Sequence, residues 1–379
     1  MKLLQINASY KPAYIYGGPT MSVSKLSEQM AKAGCIVEVF TTTANGPGEL
    51  PIKPDERTVV DGVGVTYFTR LTKDHTHFSP KLLRKLWKDV GKFDLVHIHA
   101  WWNLVSVFSC WIALMRGIPV IISPRGTLSS YSFNNKNNLP KKLLHNLLGK
   151  RLLRKSNFHV TSERERAAIE SIVRPKSIVD IPNFVKLPGD IPAPIVRDTG
   201  PLKMLFFSRI EEKKGLDLLL NALPEVTVPY HLTIAGDGDV GYIEKLKAIT
   251  EQTNTSSHIS WIGFQGANKF DLLQQHDLMI LPSYDENFGN VVIESLSMGT
   301  AVLISKEVGL SDYVAENNFG WICGLEPDDI TRFINLIPHE DDKLSAIRQQ
   351  APGKIRNDFD EDHLDKRYLD MYHQIIDNG

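Results

Sequence analysis

An arginine and a lysine stand five residues apart in Ser208-Arg209-Ile210-Glu211-Glu212-Lys213-Lys214-Gly215, directly after the apolar run Met204–Phe207. The run reads as a strand and the residues after Gly215 as a helix. A helix N-terminus offers unpaired N–H groups and a partial positive charge. Two cations beside it make an anion site suited to a diphosphate. Glu211 and Glu212 would instead neutralise the pair if the segment were only a charged surface turn. A second segment, Pro282-Ser283-Tyr284-Asp285-Glu286-Asn287-Phe288-Gly289-Asn290-Val291-Val292-Ile293-Glu294, follows the apolar run Leu278–Leu281. Glu286 and Glu294 are spaced Glu-x7-Glu. Gly289 lies within Asn287-Phe288-Gly289-Asn290, where backbone amides can turn to a ligand before a helix begins. Glu294 falls about one turn into that helix. A carboxylate there can accept two hydrogen bonds from ribose hydroxyls; the plainer reading is an acidic first turn that complements the helix dipole.

Other motifs carry less. Tyr16-Gly17-Gly18-Pro19 lies between the first strand and the first helix. Its paired glycines let a backbone approach a ligand closely, although a plain strand-to-helix turn needs nothing more. Gly236-Asp237-Gly238-Asp239-Val240-Gly241 spells G-x-G-x-x-G but follows the second strand of its set. Gln252-Thr253-Asn254 stands where a dinucleotide site needs an acidic strand end. The loop therefore reads as an acidic turn capping the helix at 241–252; its Asp237-x-Asp239 pair could also ligate a divalent metal. His97-x-His99 closes a strand with both side chains on one face. A metal would need a third ligand and none is evident nearby, so one histidine reads as structural and the other as a cleft residue. His75-x-His77 reads as solvated. No Gly-x-Ser-x-Gly elbow or Walker A Gly-Lys-Ser/Thr occurs.

The elements that must position these residues alternate strand and helix. Leu3–Ala8, Val37–Thr41, Leu95–Ile98, Val120–Ile122, Phe158–Thr161 and Ile178–Ile181 read as strands, with helical patterns at 21–33, 80–91, 103–115, 140–154 and 163–172. Residues 186–201, rich in Pro and polar side chains, read as a linker. Strands recur at Met204–Phe207, Leu232–Ala235, Ile259–Ile262, Leu278–Leu281 and Ala301–Ile304, and 361–377 reads as one helix with Leu364, Tyr368, Met371, Tyr372 and Ile375 on a face. Such alternation implies βαβ units and parallel sheets. The expected fold class is α/β, with two Rossmann-like doubly wound domains, 1–185 and 186–360, and the helix at 361–379 packing back on the first.

The chain has 379 residues, room for about two to three domains. Its 42% hydrophobic and 23% charged residues suit a soluble globular protein rather than a disordered or fibrous one. No apolar run reaches about 18 residues, and no signal-peptide pattern follows the N-terminus. Three widely separated cysteines, Cys35, Cys110 and Cys323, do not make a disulfide framework and fit a reducing cytoplasm. The net charge of -1 hides a split: residues 1–185 carry +13 and residues 186–379 carry -14. The basic half should meet something anionic.

Taken together, these residues resemble glycosyltransferase family 4, the large group 1 family of retaining transferases with the two-domain GT-B fold. The resemblance spans nearly the whole chain. Gly17-Gly18 matches the family's donor-side loop, Asp94-Leu95-Val96-His97-Ile98-His99 its Asp-x-x-His-x-His strand, and Ile181-Pro182-Asn183 its Pro-Asn hinge. Arg209 and Lys214 match its diphosphate-gripping pair, and Glu286 through Glu294 its Glu-x7-Glu. Many members carry a histidine after the strand corresponding to Val120–Ile122; here Ser123-Pro124-Arg125-Gly126 stands there, and Arg125 is expected to serve acceptor or donor phosphate instead.

The resemblance implies two domains facing across a cleft, a nucleoside diphosphate-sugar donor, transfer with retained anomeric configuration, and no cofactor or metal. Arg209 and Lys214 would then stabilise the leaving diphosphate, each such contact contributing on the order of 3–4 kcal/mol. Glu286 would orient the donor sugar and Glu294 hold the ribose, with Gly17, Gly18 and Asn287 through Asn290 lining the donor. His99 and Arg125 would line the facing domain. The acceptor is expected to be a glycan or lipid-linked glycan of surface polysaccharide biosynthesis. Basic amphipathic patterns at Ser79–Lys92 and Lys136–Lys155 suit an anionic membrane surface; nucleic acid is not expected, since no stacking platform accompanies the charge. The location expected is cytoplasmic, peripheral on the inner face of the membrane. The rival readings are a catalytically silent GT-B subunit and a GT-B sugar-nucleotide epimerase.

Overall fold

Apolar runs of four to seven residues, too short for helices, become parallel strands in the computed structural model, which describes residues 1–129, 131, 148–191, 193, 195, 200–266 and 268–378. The chain divides into two units: Met1–Phe184 with Glu361–Gly379, and Val185–Asp360.

In the first unit the chain runs β1 (Lys2–Ile6), α1 (Gly18–Lys32), β2 (Ile36–Thr42), a small ribbon β3 (Ala44–Asn45) and β4 (Gly48–Glu49), β5 (Arg57–Val60), β6 (Val63–Phe68), α2 (Pro80–Asp89), β7 (Leu95–His99), α3 (Leu104–Met115), β8 (Val120–Ser123), α4 (Lys150–Arg154), β9 (Asn157–Val160), α5 (Glu163–Ile172) and β10 (Ser177–Asp180). The sheet order is β10-β9-β8-β7-β1-β2-β6-β5, parallel except for the β5–β6 pair. Strands buried on both faces explain the near-continuous apolar runs.

The second unit runs β11 (Leu202–Phe207), α6 (Leu216–Ala222), β12 (Tyr230–Ala235), α7 (Val240–Gln252), β13 (Ile259–Gly263), α8 (Lys269–Gln274), β14 (Leu278–Leu281), α9 (Asn290–Ser297), β15 (Ala301–Ser305), α10 (Ser311–Glu316), β16 (Gly320–Cys323), α11 (Pro327–Leu336) and α12 (Asp341–Asp358). Its sheet is wholly parallel, in the order β13-β12-β11-β14-β15-β16. The last helix, α13 (Glu361–Asp377), belongs to the first unit and buries Leu364, Tyr368, Met371, Tyr372 and Ile375 there.

Strand order reverses between β1 and β7 in the first sheet and between β11 and β14 in the second. Ligands of doubly wound sheets bind beyond the carboxyl ends of the strands at such switch points. The loop holding Arg209 and Lys214 follows β11, and the loop holding Glu286 follows β14.

Five strands escape the sequence pattern, among them the two-residue ribbon strands β3 and β4. β5 and β16 have four residues each, and Gly64 in β6 and Gly320 in β16 weaken the apolar signal. Gly320 serves close backbone approach, since a Cβ there would lie 2.1 Å from the Val302 carbonyl oxygen, whereas at Gly64 it would meet only the side-chain ends of Arg57 and Glu38. The three cysteines are buried and unpaired. Of the basic pattern at 136–155, Lys136, Lys141, Lys142, Leu143, Leu144 and Leu147 lie outside the described residues, while Lys150–Arg154 is helical. No helix among the described residues is long and apolar enough to cross a membrane.

Candidate active site

The second unit's switch point is built by backbone contact before any side chain is considered. Gly215 has φ +69°, and a Cβ there would sit 2.0 Å from the Pro282 carbonyl oxygen, so glycine alone lets the β11 and β14 loops touch. Tyr284 N donates to the Lys213 carbonyl at 2.9 Å. Tyr284 Oη donates to Asp217 Oδ2 at 2.8 Å. From the other side, Cβ atoms at Gly236 and Gly238 would lie 1.9 and 2.1 Å from the Ser208 and Ile210 carbonyl oxygens. The G-x-G-x-x-G string therefore supports the Arg209 loop from beneath. Asp239 caps α7 by accepting from Tyr242 N at 2.9 Å, and Asp237 accepts from Gly238 N at 2.8 Å.

Lys214 and Glu286 meet in this junction as an ion pair, with side chains 10% and 16% exposed. Burial by itself would raise the Glu286 pKa. Lys214, then Lys213 and Arg209, overcome it and hold the carboxyl below its ordinary value. Three cations thus share the field of one carboxylate. Arg209 also pairs with Glu211, at a more open position, 38% exposed. Glu294 Oε1 accepts from Lys269 Nζ at 2.6 Å, both side chains largely buried. Lys269 opens α8 after β13, and nothing in its sequence neighbourhood marks it; the fold alone brings it to Glu294.

Gly289 has φ +89° and precedes α9, and its carbonyl accepts from Val292 N. Asn287 and Asn290 are half-buried beside it. Phe288, expected against the donor, turns inward instead. It is buried in the core and packs edge-on against Phe359, with ring centroids 6.3 Å apart. Its side chain contributes packing and only its backbone remains near the loop.

In the first unit, Gly17 (φ +63°) caps α1 and Gly18 begins it, with open space around Gly18. Arg125 takes φ +52° and Gly126 φ +78°. A bulky residue in the left-handed region is strained and persists only where the surroundings hold it. Glu165 Oε1 accepts from Gly126 N at 3.0 Å, and Thr127 Oγ1 donates to the Pro124 carbonyl at 2.7 Å. The half-buried Arg125 donates from Nε to His99 Nδ1 at 3.2 Å and from Nη1 to Asn183 Oδ1 at 2.9 Å.

His99, expected to line the facing domain, lies beneath Arg125. It is fully buried, and its Nε2 lies 2.7 Å from Gln5 Oε1, so both ring nitrogens are engaged. His97 is fully buried too, between Tyr372 and Ser123. His77, expected to be solvated, is buried beside Arg70, and burial with that cation pushes its pKa down to about 4. His159, on β9, completes the cluster. Burial, reinforced by neighbouring histidines and Arg125, holds His97 and His99 well below the usual histidine range; burial pushes His159 down to about 3. The sequence shows the His-x-His pair but not that Gln5, Ser123, His159, Tyr368 and Tyr372 close over it.

Two family models cover almost the whole chain: Glycosyltransferase Family 4 over residues 16–187 and Glycosyl transferases group 1 over residues 190–354. A D-inositol 3-phosphate glycosyltransferase of Rhodococcus erythropolis is 23% identical over 390 residues, 96% of this chain and 87% of that protein. Among solved structures, sucrose-phosphate synthase from Thermosynechococcus elongatus superposes with TM-score 0.77 at 17% identity, covering all of both chains. Anabaena HepE in complex with UDP-glucose gives 0.76 at 18% identity, covering 99% of this chain and 100% of that one. Two Rossmann-like parallel-sheet units are the shared architecture.

Proposed function

The chain belongs to the group 1 glycosyltransferases, which use nucleotide sugars, and from that premise we propose that it transfers the sugar of a nucleoside diphosphate-sugar, with retention and without a metal or other cofactor, to an anionic or lipid-linked glycan acceptor in surface polysaccharide synthesis. The observation carrying this reading is the buried Lys214–Glu286 pair at the β11/β14 switch point, with Lys213 and Arg209 in the same field.

A diphosphate entering the loop brings anionic oxygens that compete with Glu286 for Lys214 and with Glu211 for Arg209. Lys214 exchanges Glu286 for a phosphate oxygen, and the released carboxylate accepts hydrogen bonds from donor-sugar hydroxyls. Glu294, oriented by Lys269, takes the ribose hydroxyls. As the bond from the anomeric carbon to the diphosphate breaks, charge grows on the leaving oxygens, where Lys214 and Arg209 are already aimed. The acceptor oxygen bonds to the same face of that oxocarbenium-like carbon, and its proton passes to the leaving diphosphate, so no protein base is needed. Arg125 binds an oxygen-rich or anionic group of the acceptor, its strained backbone being the price of that position.

The surface of α2 and α3 supports a membrane setting for the acceptor. Trp87 (44%), Trp111 (39%) and Met115 (62%) are exposed, and Arg116 lies 5.6 Å over the Trp87 ring. Arg84 and Lys88 are exposed beside them with no carboxylate partner among the described residues. Indole rings rimmed by cations suit the headgroup region of an anionic membrane.

Release of free nucleoside diphosphate from uridine, guanosine and adenosine diphosphate-sugars, with and without acceptor, tests the reaction. Acceptor-dependent release from one donor, and a product whose anomeric proton coupling matches the donor's, is expected. No release from any donor would favour a silent subunit, and an inverted product would end the front-face reading.

A further inference from the structure

The polar cluster beneath Arg125 has one consistent direction. A carbonyl oxygen can only accept. His159 Nε2 lies 2.8 Å from the Ile181 carbonyl oxygen, so Nε2 is protonated and Nδ1 is bare. The Ser123 hydroxyl therefore donates to His159 Nδ1 at 2.6 Å, and its oxygen accepts from His97 Nε2 at 2.6 Å. His97 Nδ1 is then bare and accepts from Tyr372 Oη at 2.9 Å. The Tyr372 oxygen accepts from Gln5 Nε2 at 3.4 Å. Gln5 Oε1 accepts from His99 Nε2 at 2.7 Å, and His99 Nδ1 accepts from Arg125 Nε at 3.2 Å. Worked from the arginine end, the assignments are the same, because a guanidinium only donates and an amide oxygen only accepts. Tyr368 joins without conflict: its oxygen lies 3.1 Å from His159 Nε2 and its hydroxyl donates to the Pro182 carbonyl at 3.4 Å.

One tautomer of His99 suits this chain. With the proton on Nδ1, His99 would present a donor to the Arg125 guanidinium, and Gln5 would have to turn over and lose its donation to Tyr372. The Arg125 guanidinium, fixed through Nε and Nη1, is left with no partner on Nη2 among the described residues. We propose that Tyr372, on the C-terminal helix, is a positioning residue for Arg125, acting through Gln5 and His99 to hold the guanidinium with its Nη2 edge turned to the acceptor. The inference rests on the reading that Arg125 binds the acceptor. It gives α13 a part in the reaction through the relay that Tyr372 begins.

A double-mutant cycle on acceptor kinetics tests it. Tyr372→Phe keeps the ring and removes the hydroxyl; it should lower kcat/KM for acceptor about tenfold through a misplaced guanidinium, with donor KM unchanged. Added to Arg125→Ala, it should cause no further loss. Wild-type kinetics in Tyr372→Phe, or a loss that multiplies with that of Arg125→Ala, would overturn the positioning role alone. Wild-type acceptor kinetics in Arg125→Ala would overturn the acceptor reading and this inference with it. A second readout needs no variant to fold: in 15N-histidine-labelled enzyme, His99 should show the Nε2–H neutral tautomer. A protonated Nδ1 would overturn the inference.

Discussion

The two units answer one demand, holding a group in place at a sheet's carboxyl edge, by opposite means. At the β11/β14 edge the means is charge: Lys214 with Glu286, Lys269 with Glu294, and the more open Arg209 with Glu211. At the β7/β8 edge it is a neutral relay of three histidines, two tyrosines, a serine and a glutamine that ends on a single cation, Arg125. Ion pairs can exchange partners when an anion arrives, so the charged edge suits a ligand that binds and leaves each cycle. A directional relay has one low-energy arrangement, so the neutral edge suits a group that must stay where it is.

The largest expected effect breaks the charged edge. Lys214→Ala should cut kcat by about 10²-fold or more in steady-state kinetics on the true donor. It also strands the Glu286 carboxylate, a loss of about 3–5 kcal/mol for a buried pair. Adding Glu286→Gln should recover part of the melting temperature and none of the rate. A double variant that regains rate would show that Lys214 serves the fold rather than the diphosphate.

Next comes acid, which separates the two edges. The folded first unit cannot protonate His97, His99 or His159 near their usual value of 6.5, whereas the unfolded chain can. The unfolded state therefore binds more protons below that pH. Stability that is complete above about pH 6.5 falls as pH drops toward 3, by up to about 1.4 kcal/mol per histidine per pH unit. His276 is the second unit's one histidine of this kind among the described residues. Hydrogen exchange at pH 5.5 should release β7, β8 and β9 before β11 and β14; the reverse order would show that the relay does not bear on stability.

Smaller effects sharpen the contrast. Glu294→Ala should raise donor KM about tenfold with little change in kcat, the mark of binding made equally in ground and transition states. A kcat loss at constant KM would move Glu294 to the reacting centre. Arg84→Glu with Trp87→Ala should weaken co-sedimentation with anionic vesicles, by about 1 kcal/mol for each basic residue lost near the surface. Unchanged sedimentation would remove the α2/α3 face from the membrane.

What the sequence displays and what it hides follow the same division. The charged edge is legible because its residues lie within single short segments: Arg209 and Lys214 in the loop after β11, Glu286 and Glu294 in the loop after β14 and the helix it opens, each behind an apolar run. Lys269 is the exception, since only the sheet order brings the β13 loop to Glu294. The neutral edge is nearly invisible. Its residues come from β1, β7, β8, β9 and α13, and each looks like ordinary core in its own segment. His97-x-His99 signals two side chains on one face, but not that α13 covers them with Tyr368 and Tyr372. The stripe on α13 is readable from its period, and the partner of that stripe is not. Among the strands, those with Val, Ile and Leu throughout can be read, while β16 and β6 are obscured by glycines, the one in β16 required by the Val302 backbone against it.

Calorimetric titration of uridine, guanosine and adenosine diphosphates into the wild type and Lys214→Met tests the charged edge most directly. One nucleotide should bind the wild type one to one and lose about 10²-fold in affinity in the variant, a difference of about 2.7 kcal/mol. Equal affinity for both proteins would put the diphosphate elsewhere and contradict the assignment of the β11/β14 switch point as its seat.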